Sequence, residues 1–337
     1  MRYARLLACL LLVFILAAIG SQLLRHVVAG GGFKSEGLLA VGEGSKVGSV
    51  QRTAAAPTTS TPPPTTAPKP KKPAAKAPGD RHAASTVAGE SASKRNKTDG
   101  AGPSHFQTLG PGASLPSGSQ CATWVRARPI PERKAANRAA NHATGQHAGS
   151  LFDPGSTDPR ANGRIAARID GDFTGTTQEI LRWTACKWGI DENLVYAQAA
   201  VESWWRQSTE GDWAGDASAC APGHSLGADG RAGQCPQSFG ILQNRYPFER
   251  STWPGIQRST AMNADTAYAI WRSCFEGYEH WLNDVDHGRQ YAAGDAMGCM
   301  GRWFAGRWHT AAADQYVAKV KGYLDQRIWE TPYFQEA

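Results

Sequence analysis

Hydrophobic residues recur at helical spacing through most of the chain beyond residue 170. Thr176 and Glu179 form a T-x-x-E capping box, which predicts a helix over 177–188 that ends at Gly189. Asp191 is positioned to cap the next helix. The further helices that the periodicity predicts span 192–205, 263–275, 276–288 and 314–329. Strand-like alternation is nearly absent, so the pattern predicts an all-α domain with long loops.

The turn before the first of these helices has a second interpretation. Its D-x-D-x-T-G segment, 170–175, resembles the start of a calcium-binding loop. The twelfth position of such a loop should carry a bidentate Glu, and here it is Leu181. We therefore interpret the segment as a turn, and we expect neither a metal site nor a cofactor in this protein.

The N-terminal third has a different pattern. Arg2 and Arg5 precede an apolar run over 6–19, which is typical of an export signal. Residues 1–30 are therefore predicted to form an apolar helix that is either a cleaved signal peptide or a retained membrane anchor. Residues 31–120 are rich in Pro, Thr, Ala and Lys and lack hydrophobic periodicity, which predicts a disordered tether. A cleaved signal peptide and a retained membrane anchor would both place the rest of the chain outside the cytoplasm.

The distribution of charge excludes a folded basic domain that binds nucleic acid. Of the net charge of +7, residues 1–30 carry +3, residues 31–120 carry +6 and residues 121–337 carry −2. All 12 Trp lie in the last of these parts, which is predicted to be one folded domain. The basic cluster in the tether would attract anionic lipids or wall polymers, or it is simply a solvated linker. This cluster consists of Lys69, Lys71, Lys72 and Lys76.

The cysteines agree with export. Cys9 lies in the N-terminal apolar run, and the other six all follow residue 120 without any C-x-x-C pair. An even number of cysteines in an exported domain predicts disulfides rather than a zinc ribbon or a redox site. Six cysteines allow 15 pairings. Proximity along the chain favours Cys220–Cys235, Cys274–Cys299 and Cys121–Cys186.

One carboxyl is a candidate for chemistry. Glu202 lies at the end of the predicted helix 192–205, between Val201 and the pair Trp204 and Trp205. Poor solvation disfavours the charged form of a carboxyl and raises its pKa. A carboxylic acid that stays protonated near neutral pH is what cleavage of a glycosidic bond requires, because the leaving oxygen must receive a proton. The alternative is a surface Glu at a helix end.

The motifs around Glu202 resemble those of a known family. They are, in chain order, Glu202-Ser203, Ser238-Phe-Gly-Ile-Leu-Gln243, Asn263-Ala-Asp-Thr-Ala-Tyr268, Gly301-Arg-Trp-Phe-Ala-Gly306 and Tyr316-Val-Ala-Lys-Val320. This series resembles the lytic transglycosylases of glycoside hydrolase family 23, which are relatives of goose-type lysozyme. The likeness covers about residues 177–325 and implies a lysozyme-like helical domain.

The resemblance also implies an activity and roles for individual residues. Glu202 corresponds to the single acid and base, Ser203 to its supporting neighbour and Gln243 to a residue that contacts the glycan. Tyr316 corresponds to a tyrosine near the acid. The implied reaction cleaves the MurNAc–GlcNAc bond of peptidoglycan glycan strands and leaves 1,6-anhydro-MurNAc ends, in a protein anchored at or secreted to the bacterial cell wall.

Two departures from the family pattern leave alternatives open. In the segment that contains Trp303 and Phe304, Phe304 stands where the family has Asn, and a phenyl ring can stack on a sugar but cannot hydrogen-bond to it. The loop between Cys220 and Cys235 lengthens the spacing between the first two motifs. A hydrolytic muramidase on the same fold would use a second carboxylate. The candidates are Asp212, Asp216 and Asp229. A non-catalytic module that binds the cell wall is the other alternative.

Overall fold

The computed structural model of the protein describes residues 102–336. The predicted N-terminal helix and the predicted tether up to residue 101 lie outside the described residues. The described part is mostly helical, with a small antiparallel sheet and three disulfides.

The elements have the following bounds. The α-helices are α1 (Gly118–Arg126), α2 (Arg138–Asn141), α3 (Thr177–Trp188), α4 (Glu192–Ser203), α5 (Gly255–Arg258), α6 (Thr260–Phe275), α7 (Ala296–Ala305), α8 (Ala311–Asp325) and α9 (Pro332–Glu336). The strands are β1 (Glu210–Gly211), β2 (Ser238–Phe239) and β3 (Asn244–Arg245). A π-helical turn spans Ala161–Ile165. Short 3-10 turns span Ala135–Asn137, Ala166–Arg168, Ala217–Ala219, Arg250–Thr252, His280–Asn283 and Ile328–Glu330.

Local signals determine where α3 and α4 begin and end. Both halves of the predicted capping box form, since the Thr176 hydroxyl accepts from the Glu179 N–H and the Glu179 carboxylate accepts from the Thr176 N–H. Gly189 ends α3 at a φ of 58°, in the left-handed region that favours glycine. Asp191 caps α4 as predicted. Helix α4 is two residues shorter than expected, because Trp204 turns into the left-handed region at its end.

The structure corrects the helices predicted further along the chain. The stretch 276–288 is not a helix, because Gly277 adopts a φ of 84° and His280–Asn283 forms only a 3-10 turn. Helix α7, which the periodicity did not predict, follows it. Helix α8 is shifted toward the N-terminus relative to the predicted 314–329, and Arg327 in the left-handed region prevents its continuation.

The helices pack around one core rich in tryptophan. Helix α3 contacts α1, α4 and α6, and α8 packs against both α4 and α7. Six indoles are almost fully buried: Trp183, Trp188, Trp205, Trp271, Trp308 and Trp329. Among the helices of residues 102–336, none is long and apolar enough to cross a membrane.

The three disulfides join the pairs that proximity along the chain favoured. Cys121–Cys186 connects α1 to α3, and Cys274–Cys299 connects α6 to α7. Cys220–Cys235 closes the long loop between β1 and β2. Disulfides are typical of proteins that mature in an oxidising compartment.

The folded part begins before the expected boundary at residue 121. Phe106 is only 5% exposed and belongs to the main core. The Leu109 N–H donates to the Gly189 carbonyl at 3.1 Å, and the Glu192 N–H donates to the Phe106 carbonyl at the same distance. The segment around Phe106 and Leu109, which the composition assigned to the tether, is therefore bound to the ends of α3 and α4.

The sheet lies directly after α4. Strand β2 is central and pairs antiparallel with β1 and β3, with Phe239 opposite both Glu210 and Asn244. Since β1 starts at Glu210, only a short connection separates it from Glu202. The sheet and the end of α4 are thereby held in the same region of the molecule.

Candidate active site

Glu202 lies in the last turn of α4, where elements distant in sequence meet. Its residue is partly exposed, and its Oε1 accepts a hydrogen bond from the Tyr316 hydroxyl of α8. The Trp303 side chain of α7 also hydrogen-bonds to the Glu202 carboxyl. Three of the residues singled out from the sequence are thus in direct contact, although 114 positions separate Glu202 from Tyr316.

The surroundings of Glu202 favour its protonated form. Burial is the largest influence and raises the pKa of the Glu202 carboxyl to about 7, and the negative charge of Asp212 acts in the same direction. The hydrogen bonds from Tyr316 and Trp303 and the charge of Lys319 oppose this shift. The negative end of the α4 dipole also disfavours a carboxylate here. A group with a pKa near 7 can both donate and accept a proton at neutral pH.

Gln198, which belongs to none of the motifs, and Tyr268, which ends the motif that starts at Asn263, support this arrangement. Gln198 precedes Glu202 by one helical turn, and its Oε1 accepts from the Tyr268 hydroxyl of α6 at 2.8 Å. The Gln198 side chain also hydrogen-bonds to Tyr316. The i, i+4 spacing from Glu202 was the signal that could have identified Gln198. Nothing local in the sequence marks Tyr268 as its partner.

Phe304 contacts the hydroxyl-bearing ring instead of the acid itself. Its ring stacks on that of Tyr316 with 4.9 Å between the centroids and 3° between the planes. Its outer face is open, since Phe304 is 52% exposed. Phe304 therefore restrains the orientation of the tyrosine ring that donates a hydrogen bond to Glu202.

Ser203 connects α4 to the segment that contains Gly240 and Gln243. Its hydroxyl donates to the Ile241 carbonyl at 2.8 Å, and the same oxygen accepts from the Arg206 N–H at 3.2 Å. Ser203 thereby fixes the end of α4 against this segment. Its observed contacts are with backbone groups.

The Gln243 amide is also bound to the backbone. Its Nε2 donates to the Gly240 and Thr209 carbonyls at 2.8 and 3.1 Å. A Cβ at Gly211 would overlap the Gln243 amide oxygen, so a larger residue at that position would displace the end of the Gln243 side chain. Gln243 adopts a φ of 55°, which costs energy for a residue with a side chain. These contacts place Gln243 beside β1 as a residue that holds the sheet in position.

Asp212 follows β1 and is the carboxylate whose charge acts on Glu202. It accepts a hydrogen bond from the Ser238 hydroxyl of β2, and the Arg245 guanidinium of β3 lies 3.8 Å away. Its side chain is 54% exposed. The other two carboxylates considered from the sequence serve different contacts, since Asp216 caps a 3-10 turn and Asp229 faces His224.

One group of side chains in the described part of the chain has the composition of a metal site. It consists of Glu210, His224 and Asp229, beside the loop closed by Cys220 and Cys235. It shares no residue with the contacts of Glu202.

The chain was compared with protein-family models, with curated proteins and with solved structures, and none of them matches. The chemical class of the site therefore follows from its own geometry. A carboxyl with a pKa near 7, a tyrosine hydroxyl on it and a second carboxylate nearby can carry out general acid–base chemistry.

Proposed function

We propose that this protein is an exported peptidoglycan lytic transglycosylase in which Glu202 acts first as an acid and then as a base. The observation that carries the proposal is the Glu202–Tyr316 contact, in which a carboxyl of pKa about 7 is held by a neutral donor. The order of the motifs, the helical domain and its disulfides support the same interpretation. On this proposal, the domain has a lysozyme-like fold.

The proposed reaction requires one carboxyl in two protonation states. Protonated Glu202 gives its proton to the oxygen that links MurNAc to GlcNAc, and the bond between that oxygen and C1 of MurNAc breaks. The Glu202 carboxylate then takes the proton of the MurNAc 6-hydroxyl, and O6 bonds to C1. The products are a strand with a 1,6-anhydro end and a free GlcNAc hydroxyl, and Glu202 is protonated again.

The remaining contacts have consistent roles in this proposal. Tyr316 keeps the Glu202 carboxyl oriented in both states, and Gln198, which is itself held by Tyr268, positions Tyr316. Phe304 offers an exposed ring face on which a sugar can stack. The predicted export signal and the basic tether, outside the described residues, would hold the domain near the polyanionic wall.

A hydrolytic muramidase is the second candidate, and the position of Asp212 favours it. Hydrolysis that inverts the anomeric centre uses a second carboxylate to activate water, with enough space between the two groups for that water. Asp212 is close enough to influence the pKa of Glu202 while it remains exposed to solvent.

Analysis of the products distinguishes the two candidates. Purified peptidoglycan sacculi are digested with the full chain, and the soluble muropeptides are examined by mass spectrometry before and after borohydride reduction. We expect 1,6-anhydro-MurNAc ends, which borohydride does not reduce. Reducing MurNAc ends without anhydro sugar would establish hydrolysis and reject the transglycosylase. The Glu202→Gln variant is the matched control, since it differs from the wild type by a proton-donating group only.

A further inference from the structure

A second cluster of ionisable side chains lies beside the loop closed by Cys220 and Cys235. His224 and Asp229 belong to this loop, and Glu210 is the first residue of β1. The His224 Nδ1 lies 3.0 Å from the Asp229 Oδ2 and 4.0 Å from the Glu210 Oε1. One ligand atom from each residue lies within 4.8 Å of the other two.

Two buried atoms of this cluster have no hydrogen-bond partner. The His224 side chain is only 8% exposed, and its Nδ1 makes no hydrogen bond. The Asp229 Oδ2 is buried and unpartnered as well, although it lies 3.0 Å from that nitrogen. The two atoms are therefore close without the direction that a hydrogen bond requires. Buried polar atoms without partners are costly and rare, so they indicate a ligand that binds between them.

The surroundings hold the His224 ring in this orientation. The ring packs 4.8 Å from Phe239 and 5.7 Å from Trp253, measured between centroids. Its Nε2 lies 2.8 Å from the Gln257 Nε2, an amide nitrogen that can only donate. Metal binding at Nδ1 requires the Gln257 amide to turn by 180°, so that its oxygen accepts the Nε2 proton and the Nδ1 lone pair is free. A histidine that binds a metal through one nitrogen typically donates from the other in this way.

The two carboxylates of the cluster repel each other. A divalent cation between the carboxylates would remove this repulsion, because its charge equals the sum of theirs in magnitude. A protein ligand set of two carboxylates and one imidazole thus gives a neutral complex with such a cation.

We propose that Glu210, His224 and Asp229 bind a divalent transition-metal ion, with zinc as the best fit. An ion equidistant from three atoms with these separations lies about 2.0–2.4 Å from each, close to the 2.0–2.2 Å of zinc bonds to imidazole and carboxylate. Calcium prefers six to eight oxygen ligands at longer distances, and an imidazole nitrogen does not suit it. This proposal differs from the expectation from the sequence that no metal binds.

The site would fasten the disulfide-closed loop to the sheet. Glu210 begins β1, and the chain continues from β1 to Asp212, whose charge acts on Glu202. A bound ion would therefore restrain the segment that carries this second carboxylate. Metal binding at these residues and its effect on stability do not depend on the proposed function.

Calorimetry on the full chain tests the proposal. The protein, without a histidine tag, is stripped with dipicolinic acid and titrated separately with zinc chloride and calcium chloride. We expect one equivalent of zinc to bind per chain and to raise the melting temperature. His224→Gln and Asp229→Asn should each weaken zinc binding by about 10-fold to 100-fold or more. Asp286→Asn, a substitution at an exposed site outside the cluster, should bind zinc like the wild type.

Three outcomes would reject the site: no stoichiometric zinc binding, zinc affinity unchanged in His224→Gln, or calcium binding tighter than zinc. Glu202→Gln should keep full zinc affinity, and loss of binding in that variant would place the metal at the candidate active site instead. If His224→Gln does not fold, cobalt provides a second measurement. The visible absorption of cobalt bound to the wild type should be lost in the milder variant Glu210→Gln, and its retention would contradict the proposal.

Discussion

Two carboxyl groups on packed helices differ in what surrounds them. Asp265 in α6 is fully buried and accepts from the Lys187 ammonium at 2.7 Å, the Trp188 indole at 2.8 Å and two backbone N–H groups. Glu202 in α4 is partly exposed, and its hydrogen bonds come from the neutral side chains of Tyr316 and Trp303.

The difference concerns the charge that each group can carry. A cation and several hydrogen-bond donors compensate the charge of the buried Asp265 carboxylate. The ion pair of Asp265 with Lys187 joins α6 to α3. Neutral donors compensate an ionised Glu202 incompletely, so its pKa rises to about 7. Ionised Glu202 therefore destabilises the fold, which is typical of residues kept for chemistry rather than for stability.

The largest effect should follow from removing the acid. Glu202→Gln keeps the shape of the side chain but cannot transfer a proton, so we expect peptidoglycan cleavage to fall about 10³-fold or more. The rate of release of soluble muropeptides measures it. Cleavage within tenfold of the wild type would show that Glu202 is not the acid and would favour the wall-binding module.

The same variant should be more stable than the wild type at alkaline pH, whereas most substitutions lower stability. The folded-state pKa of Glu202, about 7, lies above the ordinary value of 4.5, so the native state loses stability as pH rises from 4.5 through 7. Glu202→Gln removes this loss. We expect equal stability of the two proteins at pH 4 and a variant more stable by about 3 kcal/mol at pH 8, measured by urea unfolding.

Removing the charge of Asp265 should lower the stability of the fold instead of raising it. Asp265→Asn leaves the Lys187 ammonium, whose side chain is 2% exposed, without its fully buried partner. We expect a loss of about 3–5 kcal/mol in unfolding free energy, because a buried charge loses its counter-ion. The control is Asp170→Asn, which removes the other, more exposed partner of Lys187 and should cost less. Equal losses of unfolding free energy in the two variants would show that the burial of the partner of Lys187 does not determine the loss.

Helices with strong local signals could be predicted, and those shaped by their neighbours could not. The Thr176–Glu179 box and Asp191 mark helix starts within a few residues, so α3 and α4 were found. Helix α7 contains Gly298 and Gly301, which weaken a helical pattern. A Cβ at Gly298 would overlap the Trp308 ring, and at Gly301 it would crowd α8. These glycines reflect tertiary packing, which periodicity does not detect.

The candidate site also contains residues that the sequence could predict and residues that only the fold distinguishes. The order of the motifs identified Glu202 and Tyr316, whose side chains the fold joins in a hydrogen bond. The sequence offered Asp212, Asp216 and Asp229 as equal candidates for a second carboxylate. Only the fold distinguishes them, because the sheet directs the chain after β1 toward Glu202 and the disulfide-closed loop turns Asp229 toward His224.

A smaller effect should follow from removing the hydrogen bond that Tyr316 donates to Glu202. Tyr316→Phe removes the hydrogen bond that lowers the pKa of Glu202, so this pKa should rise. The acid then stays protonated to higher pH, and the upper limb of the kcat/KM profile moves to higher pH. We expect turnover about 10-fold lower because the carboxyl loses its orientation. Tyr268→Phe, one contact further away, should shift the profile less, and an unshifted profile in Tyr316→Phe would contradict the proposed role.

The smallest effect on rate should come from Asp212, and it separates the two candidate functions. Asp212→Asn removes a negative charge that raises the pKa of Glu202, so the upper pH limb should move to lower pH, opposite to Tyr316→Phe. A transglycosylase needs no second carboxylate, so cleavage should stay within about threefold and the products should keep anhydro ends. A hydrolase that activates water with Asp212 would lose about 10²-fold or more. Asp216→Asn, in the same loop region, is the matched control. A large loss in Asp212→Asn alone would show that Glu202 and Asp212 act as a catalytic pair. Glu202 would then not be the only carboxyl that the reaction requires.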